Sequence, residues 1–493
     1  MSFLPEFDAN NFEPDQPIDN QYFPVPPGRI KSFRAEIEDE DTGETIVESN
    51  DEFHTFETKE ILGLDAVVVR DTAYENNILV EDTLDYYAQD VDGNVWYLGE
   101  ISYNYEYDDD GQYEETNLDG SWLAGVDGAL PGWIMKGDAT FGTAYYQEFY
   151  PGNAVDEAAV VAVNQEIETT LANYENVLQT LEWTALEPDV AEFKYYAPDI
   201  GNVYVEESLD ENGEPEAVFE LVGTRHVALD TDDPGEPRIL ELEDDDSEEM
   251  PGDPDDDDIE FQLSDLQEGQ NLGINDEVEE PEIDDFLGDG GIFDLTFLNE
   301  DAGYDNSLGI YTIDTETGEF GEGQIIFTST DDLDAGETVS IEVDEGKALG
   351  VFAVQNGANL DVDLSEFEDG GLFFTNILTG EAANVEDTLA PLVTDEDGDA
   401  LPLTVFHAIG NDDGFNFLNP AAGVNAVELE VDDFEETYGD GTIIGFEDLR
   451  VTQGGYDGDF NDVVVAVSRS MVPPDVVGDL AGSIGNDMDV VIA

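Results

Sequence analysis

A chain of 493 residues with 124 acidic and 12 basic side chains carries a formal charge of −112. This excludes duplex nucleic acid as a partner, because such binding rests on Lys and Arg neutralising phosphates, and it disfavours anionic membrane surfaces. With no cysteine in the chain, disulfides, thiolate metal sites and a cysteine nucleophile are excluded as well.

Hydrophobic residues make up 40% of the chain and aromatics 10%, enough apolar material for folded domains, and the length suits two or three of them. The charge opposes compaction unless ions screen or bind it. The Debye length is roughly 8 Å at about 0.15 M salt and about 3 Å at about 1 M. Folding is therefore expected to need salt, divalent cations or both, in a high-salt cytoplasm or a calcium-bearing exterior.

Residues 1–28 read as a proline-rich lead-in. They lack the basic region and apolar run of a secretory signal, and no stretch of the chain is long and apolar enough to span a bilayer. That reading leaves a cytoplasmic location, or export by a route that reads another part of the chain. Residues 29–229 read as an antiparallel β-rich domain, strongly curved or barrel-like. Strands are expected at 66–70, 84–90, 94–99, 144–150, 177–183, 192–197, 203–208 and 217–222, with a tight hairpin at Asp92-Gly93. A short helix is expected from Asp156 to about Ala162. Asp108-Asp109-Asp110-Gly111 reads as another hairpin turn.

Residues 230–285 break the pattern. Acidic blocks such as Asp255-Asp256-Asp257-Asp258, flanked by prolines, repel themselves and read as a disordered linker. Residues 286–470 return to short strand-like runs between glycine and Asp/Asn turns, from 292–298 to 462–467, which suggests a two-sheet β-sandwich. No fixed-period repeat is present. Residues 471–493 form a tail.

The main candidate site is Glu447, Asp448, Asp457, Asp459, Asn461 and Asp462. Calcium takes about six to eight oxygen ligands at about 2.3–2.6 Å, and clustered carboxylates with backbone carbonyls supply them. Gly454, Gly455 and Gly458 let the backbone turn tightly around an ion. The segment is nearly devoid of positive charge, so no Lys or Arg is expected to neutralise these acids instead. The competing reading is an acidic hairpin without metal. The spacing is not that of an EF-hand loop, and the flanks read as strands. Asp395, Asp397 and Asp399 form a second candidate, alternating like the first half of a calcium loop but without a closing Glu. Asn411-Asp412-Asp413-Gly414 is either a source of further ligands or a turn.

His54, His226 and His407 lie far apart, without zinc-like spacing. Among 124 acids some pair always resembles a glycosidase's acid and nucleophile, so that signal is empty. No Gly-x-Ser-x-Gly elbow, P-loop or HExxH helix is present. Trp96, Trp122, Trp133 and Trp183 either line a ligand pocket or serve as core and hairpin residues.

The closing run Phe446-Glu447-Asp448-Leu449, followed by Gly455-Tyr456-Asp457-Gly458-Asp459-Phe460-Asn461-Asp462-Val463-Val464, resembles the bacterial domain-of-unknown-function family 4114, common in large secreted or surface proteins. The resemblance covers residues 286–470. It implies a β-sandwich with Glu447, Asp448, Asp457, Asp459 and Asp462 as metal ligands. The first domain resembles a second uncharacterised bacterial family, through Tyr86-Tyr87-Ala88-Gln89-Asp90-Val91-Asp92-Gly93-Asn94-Val95-Trp96-Tyr97-Leu98-Gly99-Glu100, Gly120-Ser121-Trp122-Leu123-Ala124-Gly125 and Lys194-Tyr195-Tyr196-Ala197-Pro198. Its members are usually secreted proteins or lipoproteins, which implies an exported β-rich domain and no particular chemistry. Residues 487–493 are similar to the C-terminal secretion signals of RTX-type proteins, although the nonapeptide array of that class is missing.

The combined expectation is a mostly β, non-enzymatic protein, secreted or at the cell surface, whose C-terminal sandwich binds calcium and serves structural or adhesive association. Extracellular polysaccharide or another surface component is the expected partner. One alternative is a secreted polysaccharide hydrolase with its site in an aromatic cleft of the first domain. The other is a halophile's cytoplasmic protein whose acidity is adaptation to salt.

Overall fold

The computed structural model describes residues 2–229 apart from 39–42 (where only Gly43 follows before 44), 44, 109–110, 139, 143, 188–189 and 211. It also describes 237–239, then 290–470 apart from 301, 361, 410–414, 430–440 and 459, and finally 482–484 and 488–492. The expected acidic linker lies outside these residues except for Pro237–Ile239, which pairs with the end of the preceding strand. The chain forms two compact units, Met1–His226 and Val227–Ala493. Among the described residues no helix is long and apolar enough to cross a membrane.

The first unit is one long antiparallel ladder. Its principal strands are β1 (Arg29–Glu38), β2 (Thr45–Ile61), β3 (Leu64–Glu75), β4 (Ile78–Gln89), β5 (Val95–Tyr107), β6 (Leu130–Met135), β7 (Ala144–Tyr146), β8 (Glu148–Phe149), β9 (Asp156–Glu168), β10 (Asn173–Thr184), β11 (Ala191–Ala197), β12 (Gly201–Glu207) and β13 (Ala217–Leu229). The order is β7-β9-β10-β11-β12-β13-β1-β2-β3-β4-β5-β6-β8. Only Gln147 separates β7 from β8, so the two ends of the path are neighbours in the chain. The ladder itself stays open, because β7 pairs with β9 and β8 with β6.

Local sequence explains the hairpins. Leu62 and Gly63 between β2 and β3 have φ of 52° and 80°, and Asn76 and Asn77 between β3 and β4 have 49° and 69°. Positive φ at both central residues is the turn whose twist matches that of paired strands. At the expected Asp92-Gly93 turn, Gly93 has φ 82° and Asp90 N donates to Asn94 O at 2.9 Å. Within the strands, buried and less buried positions alternate; Ala66 and Val68 are fully buried on one face of β3.

One expectation is corrected here. Residues 156–162 are not helical; they open strand β9, paired with β10 from Asp156↔Thr184 onward. Ala and Glu favour a helix locally, but Ala158 and Val160 alternate into the core, and tertiary pairing overrides propensity. The lead-in, in turn, is packed onto the first unit. Ile18 and Val25 are buried, Asn20 Nδ2 donates to Gly93 O at 2.8 Å and Lys136 O at 3.1 Å, and Phe7 meets the Trp96 ring edge-on at 5.3 Å.

The second unit is a β-sandwich of two main antiparallel sheets, with a further two-stranded pair, Phe373–Thr375 with Leu392–Thr394. Its strands are β14 (Gly291–Glu300), β15 (Ser307–Asp314), β16 (Phe320–Phe327), β17 (Thr338–Val343), β18 (Lys347–Val354), β19 (Val405–His407), β20 (Ala426–Glu428), β21 (Gly441–Phe446), β22 (Val463–Arg469) and β23 (Met488–Ile492). One sheet runs β20-β21-β22-β14-β17-β23 and ends on Gly482–Ile484; the other runs β16-β15-β18-β19. The tail thus contributes strand backbone beside β17. Tyr311, Phe320, Phe352, Phe374 and His407 form one aromatic cluster, with Tyr311 and Phe320 stacked at 4.6 Å. The cluster needs glycine beside it, because a Cβ on Gly350 would lie 2.3 Å from the Tyr311 ring. His407 is buried there, and desolvation pushes its pKa down to about 3, so it is a neutral core residue.

Candidate functional site

The candidate metal centre follows from one ladder. β21 and β22 pair up to Phe446↔Val463, so the next residues out, Glu447 and Asp462, emerge side by side. Residues 448–461 form the loop between them. Glu447, Asp448 and Asp462 each offer a carboxylate oxygen, all within 4.8 Å of one another, and they are the one such trio of His, Cys, Asp or Glu among the described residues. Two oxygens on one calcium are separated by no more than about 5 Å, twice the ligand distance, so the trio fits a single ion. An all-oxygen set suits a hard cation.

The loop is held from several directions. Gly458 N donates to Glu447 Oε2 at 3.0 Å and Asp448 N to Asp462 Oδ2 at 2.8 Å. Asn306 Nδ2 donates to Asp448 Oδ2 at 2.8 Å. Asn425 Nδ2 donates to the carbonyls of Glu447 and Leu449 at 3.1 and 2.6 Å, and Gln355 Nε2 to that of Asp448 at 2.5 Å. Phe460 sits in the core beside Leu298, Leu429 and Val464, with φ of 51°, a conformation uncommon for a bulky residue. Burial pushes Asp448 up to about 6, against the pull of the Asn306 hydrogen bond. An opposite charge placed beside such a carboxyl favours its ionised form.

The sequence candidates divide accordingly. Glu447, Asp448 and Asn461 are buried, Asp462 is half-buried and completes the trio. Asp457 is half-buried and its charge reaches Asp448. Asp459 lies outside the described residues, as do Asn411, Asp412, Asp413 and Gly414. The expectation that no cation stands nearby is corrected: Arg450, two residues past Asp448, is a fully buried arginine. Asp395, Asp397 and Asp399 form a tight turn instead of joining the trio. Asp395 Oδ1 accepts from the backbone N of Asp397 and Asp399, both at 2.9 Å, and Asp397 and Asp399 are exposed. The amides Asn306, Gln355 and Asn425 were missed; Asn306 is 142 positions from its partner, and no local motif marks it.

The first unit holds a second feature, a cavity of about 710 Å³. Of the four tryptophans only Trp183 lines it. Trp96 packs against Trp133 at 5.8 Å and Trp122 against Tyr97 at 5.4 Å, as core residues. Its wall is strongly acidic, with Glu52, Asp85, Glu100, Glu148 and Glu182 among the lining side chains.

No family model and no curated protein matches the chain. Two solved structures do. One is a protein assigned as exported, with a YmcC-like fold, from Bacteroides fragilis; it shares 14% identity over 42% of this chain and 99% of that one, with a TM-score of 0.22. The other, assigned as a lipoprotein of Parabacteroides distasonis, shares 11% identity over 42% of this chain and 99% of that one, with a TM-score of 0.19. At these scores neither likeness carries an argument about this chain.

Proposed function

We propose that the chain is a non-enzymatic secreted or surface-associated module whose second unit is stabilised by calcium. The observation that carries this reading is the convergence of Glu447, Asp448 and Asp462 within 4.8 Å on a loop tied down by buried amides. Asp457, Asn461 and, from the sequence, Asp459 complete the ligand set. In a low-calcium cytoplasm the trio repels itself and the loop is weakened. Outside the cell calcium neutralises the trio and secures β21 to β22. With a dissociation constant of about 0.1 mM, about 10 mM calcium would stabilise the unit by about 2.7 kcal/mol, a large share of a domain's usual stability. The stabilised unit would serve association with extracellular polysaccharide or another surface component.

The test is thermal unfolding of the full chain at fixed high ionic strength, with calcium, magnesium or chelator. A rise in Tm specific to calcium, lost in Asp448→Asn with Asp462→Asn, supports the reading. Equal Tm with calcium and chelator removes it and leaves salt adaptation as the account of the acidity.

A further inference from the structure

The cavity of the first unit plays no part in the calcium reading, and its chemistry is one-sided. Twelve of its lining residues are acidic and one is a lysine. That lysine, Lys194, is already paired with Glu192 at 3.0 Å and Glu182 at 3.4 Å. Asp85 and Glu100 stand directly opposite each other on β4 and β5, where two ionised carboxylates repel. The Tyr97 hydroxyl oxygen lies 2.5 Å from Asp85 Oδ1 and 2.6 Å from Glu100 Oε2. A phenol has one proton to donate, so one of the two acids must donate to it and hold a proton of its own. Burial has the same consequence: it pushes Glu100 up to about 7 and Asp85 well above its ordinary value.

One buried polar atom of the wall, His54 Nδ1, is an acceptor that meets no hydrogen-bond partner, although His54 is 2% exposed. Glu148, 4% exposed, lies beside the Trp122 indole, and burial with the charges of Asp156 and Glu100 pushes it up to about 9, so near neutrality it holds a proton that a bound ammonium group would displace. His54 Nε2 stands 2.7 Å from Glu52 Oε1. Glu52 resists the upward push of burial and is held below its ordinary value by Lys31 and His54, so it is an ionised acceptor and the ring proton sits on Nε2. Burial keeps His54 neutral, and Nδ1 therefore presents a lone pair. A metal ion is a poor match, since the close carboxylate trio of the described residues lies elsewhere and the cavity acids are spread over several strands. Tyr87 and Tyr97, stacked at 5.0 Å, add ring faces of the kind that attract ammonium groups.

We propose that this cavity binds a small organic polycation of the polyamine class, its N–H groups meeting Glu148, His54 and the Asp85–Glu100 pair. The ligand supplies positive charge to a wall whose one lysine is already paired against twelve acids.

The experiment is a calorimetric titration of the full chain with spermidine at about 1 M salt, where a Debye length of roughly 3 Å suppresses diffuse attraction to the acidic surface. Calcium and the neutral disaccharide cellobiose serve as separate probes. One-site spermidine binding is expected, with release of a proton as Glu148 ionises beside the ligand, and weakened about tenfold or more in Glu148→Gln, which cannot ionise. Glu166→Gln, on the exposed part of β9, is expected to bind as the unaltered chain does. If Glu148→Gln fails to fold, Asp85→Asn carries the same expectation. Absence of spermidine binding, equal affinity in Glu148→Gln, or binding of cellobiose or calcium in the cavity in place of spermidine overturns the proposal. None of these results bears on calcium at Glu447, Asp448 and Asp462.

Discussion

Asn306 Nδ2 donates to Asp448 Oδ2 at 2.8 Å, across 142 positions of sequence, while Asn306 Oδ1 accepts from Asn356 N at 2.8 Å. One amide therefore ties the residue before β15 and the second residue after β18 to the candidate metal loop. Both Asn306 and Asp448 are buried, so removing the amide strands an acceptor away from water. Asn306→Ala is expected to destabilise the second unit by about 1–3 kcal/mol. It should also weaken calcium binding, because Asp448 is no longer aimed. Chemical denaturation and a calcium titration of the variant check both.

The Asp395 turn separates structure from chemistry. Its first carboxylate, that of Asp395, is already an acceptor for two backbone N–H groups, and the two aspartates that follow, Asp397 and Asp399, are exposed. Asp397→Asn with Asp399→Asn should leave the calcium-dependent change in Tm as it is. A loss of that change in the double variant would return the turn to the ligand set.

The first unit should lose stability as the pH rises above neutrality. Burial, with the charges of Asp156 and Glu100, pushes Glu148 up to about 9, and burial pushes Glu100 up to about 7, against an ordinary value of 4.5. Between pH 6.5 and 9 the unfolded chain has both groups ionised while the folded chain still holds a proton, so the slope of stability with pH is negative. The buried histidines act in the opposite sense only below their ordinary value of 6.5, outside this window. The fall should be on the order of 1 kcal/mol per pH unit. Urea unfolding at successive pH values measures it, and Glu148→Gln should flatten the upper part of the curve.

Arg70 and Asp82 form a two-armed ion pair across β3 and β4, with Nε to Oδ1 at 2.8 Å and Nη2 to Oδ2 at 2.7 Å. Their side chains are 11% and 2% exposed. Asp82→Ala leaves a buried guanidinium without its main counter-ion and should destabilise the unit by about 3–5 kcal/mol. Replacing both residues, as Arg70→Met with Asp82→Leu, should recover most of that loss. Denaturation midpoints of the single and double variants decide the matter.

What the sequence disclosed follows the range of each interaction. Strands and hairpins were legible because alternation and turn residues are local signals, as at Asp92-Gly93 and along β3. Glu447, Asp448 and Asp462 were legible because they flank the ends of two paired strands and stand close in the chain. The false helix at 156–162 came from the same locality, since pairing with β10 lies beyond any short window. Asp85, Glu100 and Glu148 carry no mark among 124 acids; what distinguishes them is that separate strands turn them into one cavity. The supporting amides are silent for the same reason.

The pairing of β1 with β13, through contacts such as Arg34↔Glu220, sets an order of events. The ladder cannot be joined along its full path until β13 has been made, so a growing chain carries its early hairpins without their final neighbour. At about 5–20 residues per second, synthesis of the first 229 residues takes on the order of 10–45 s. Throughout that interval β1 has an unpaired edge, open to any factor that engages extended segments before the first unit can withdraw it.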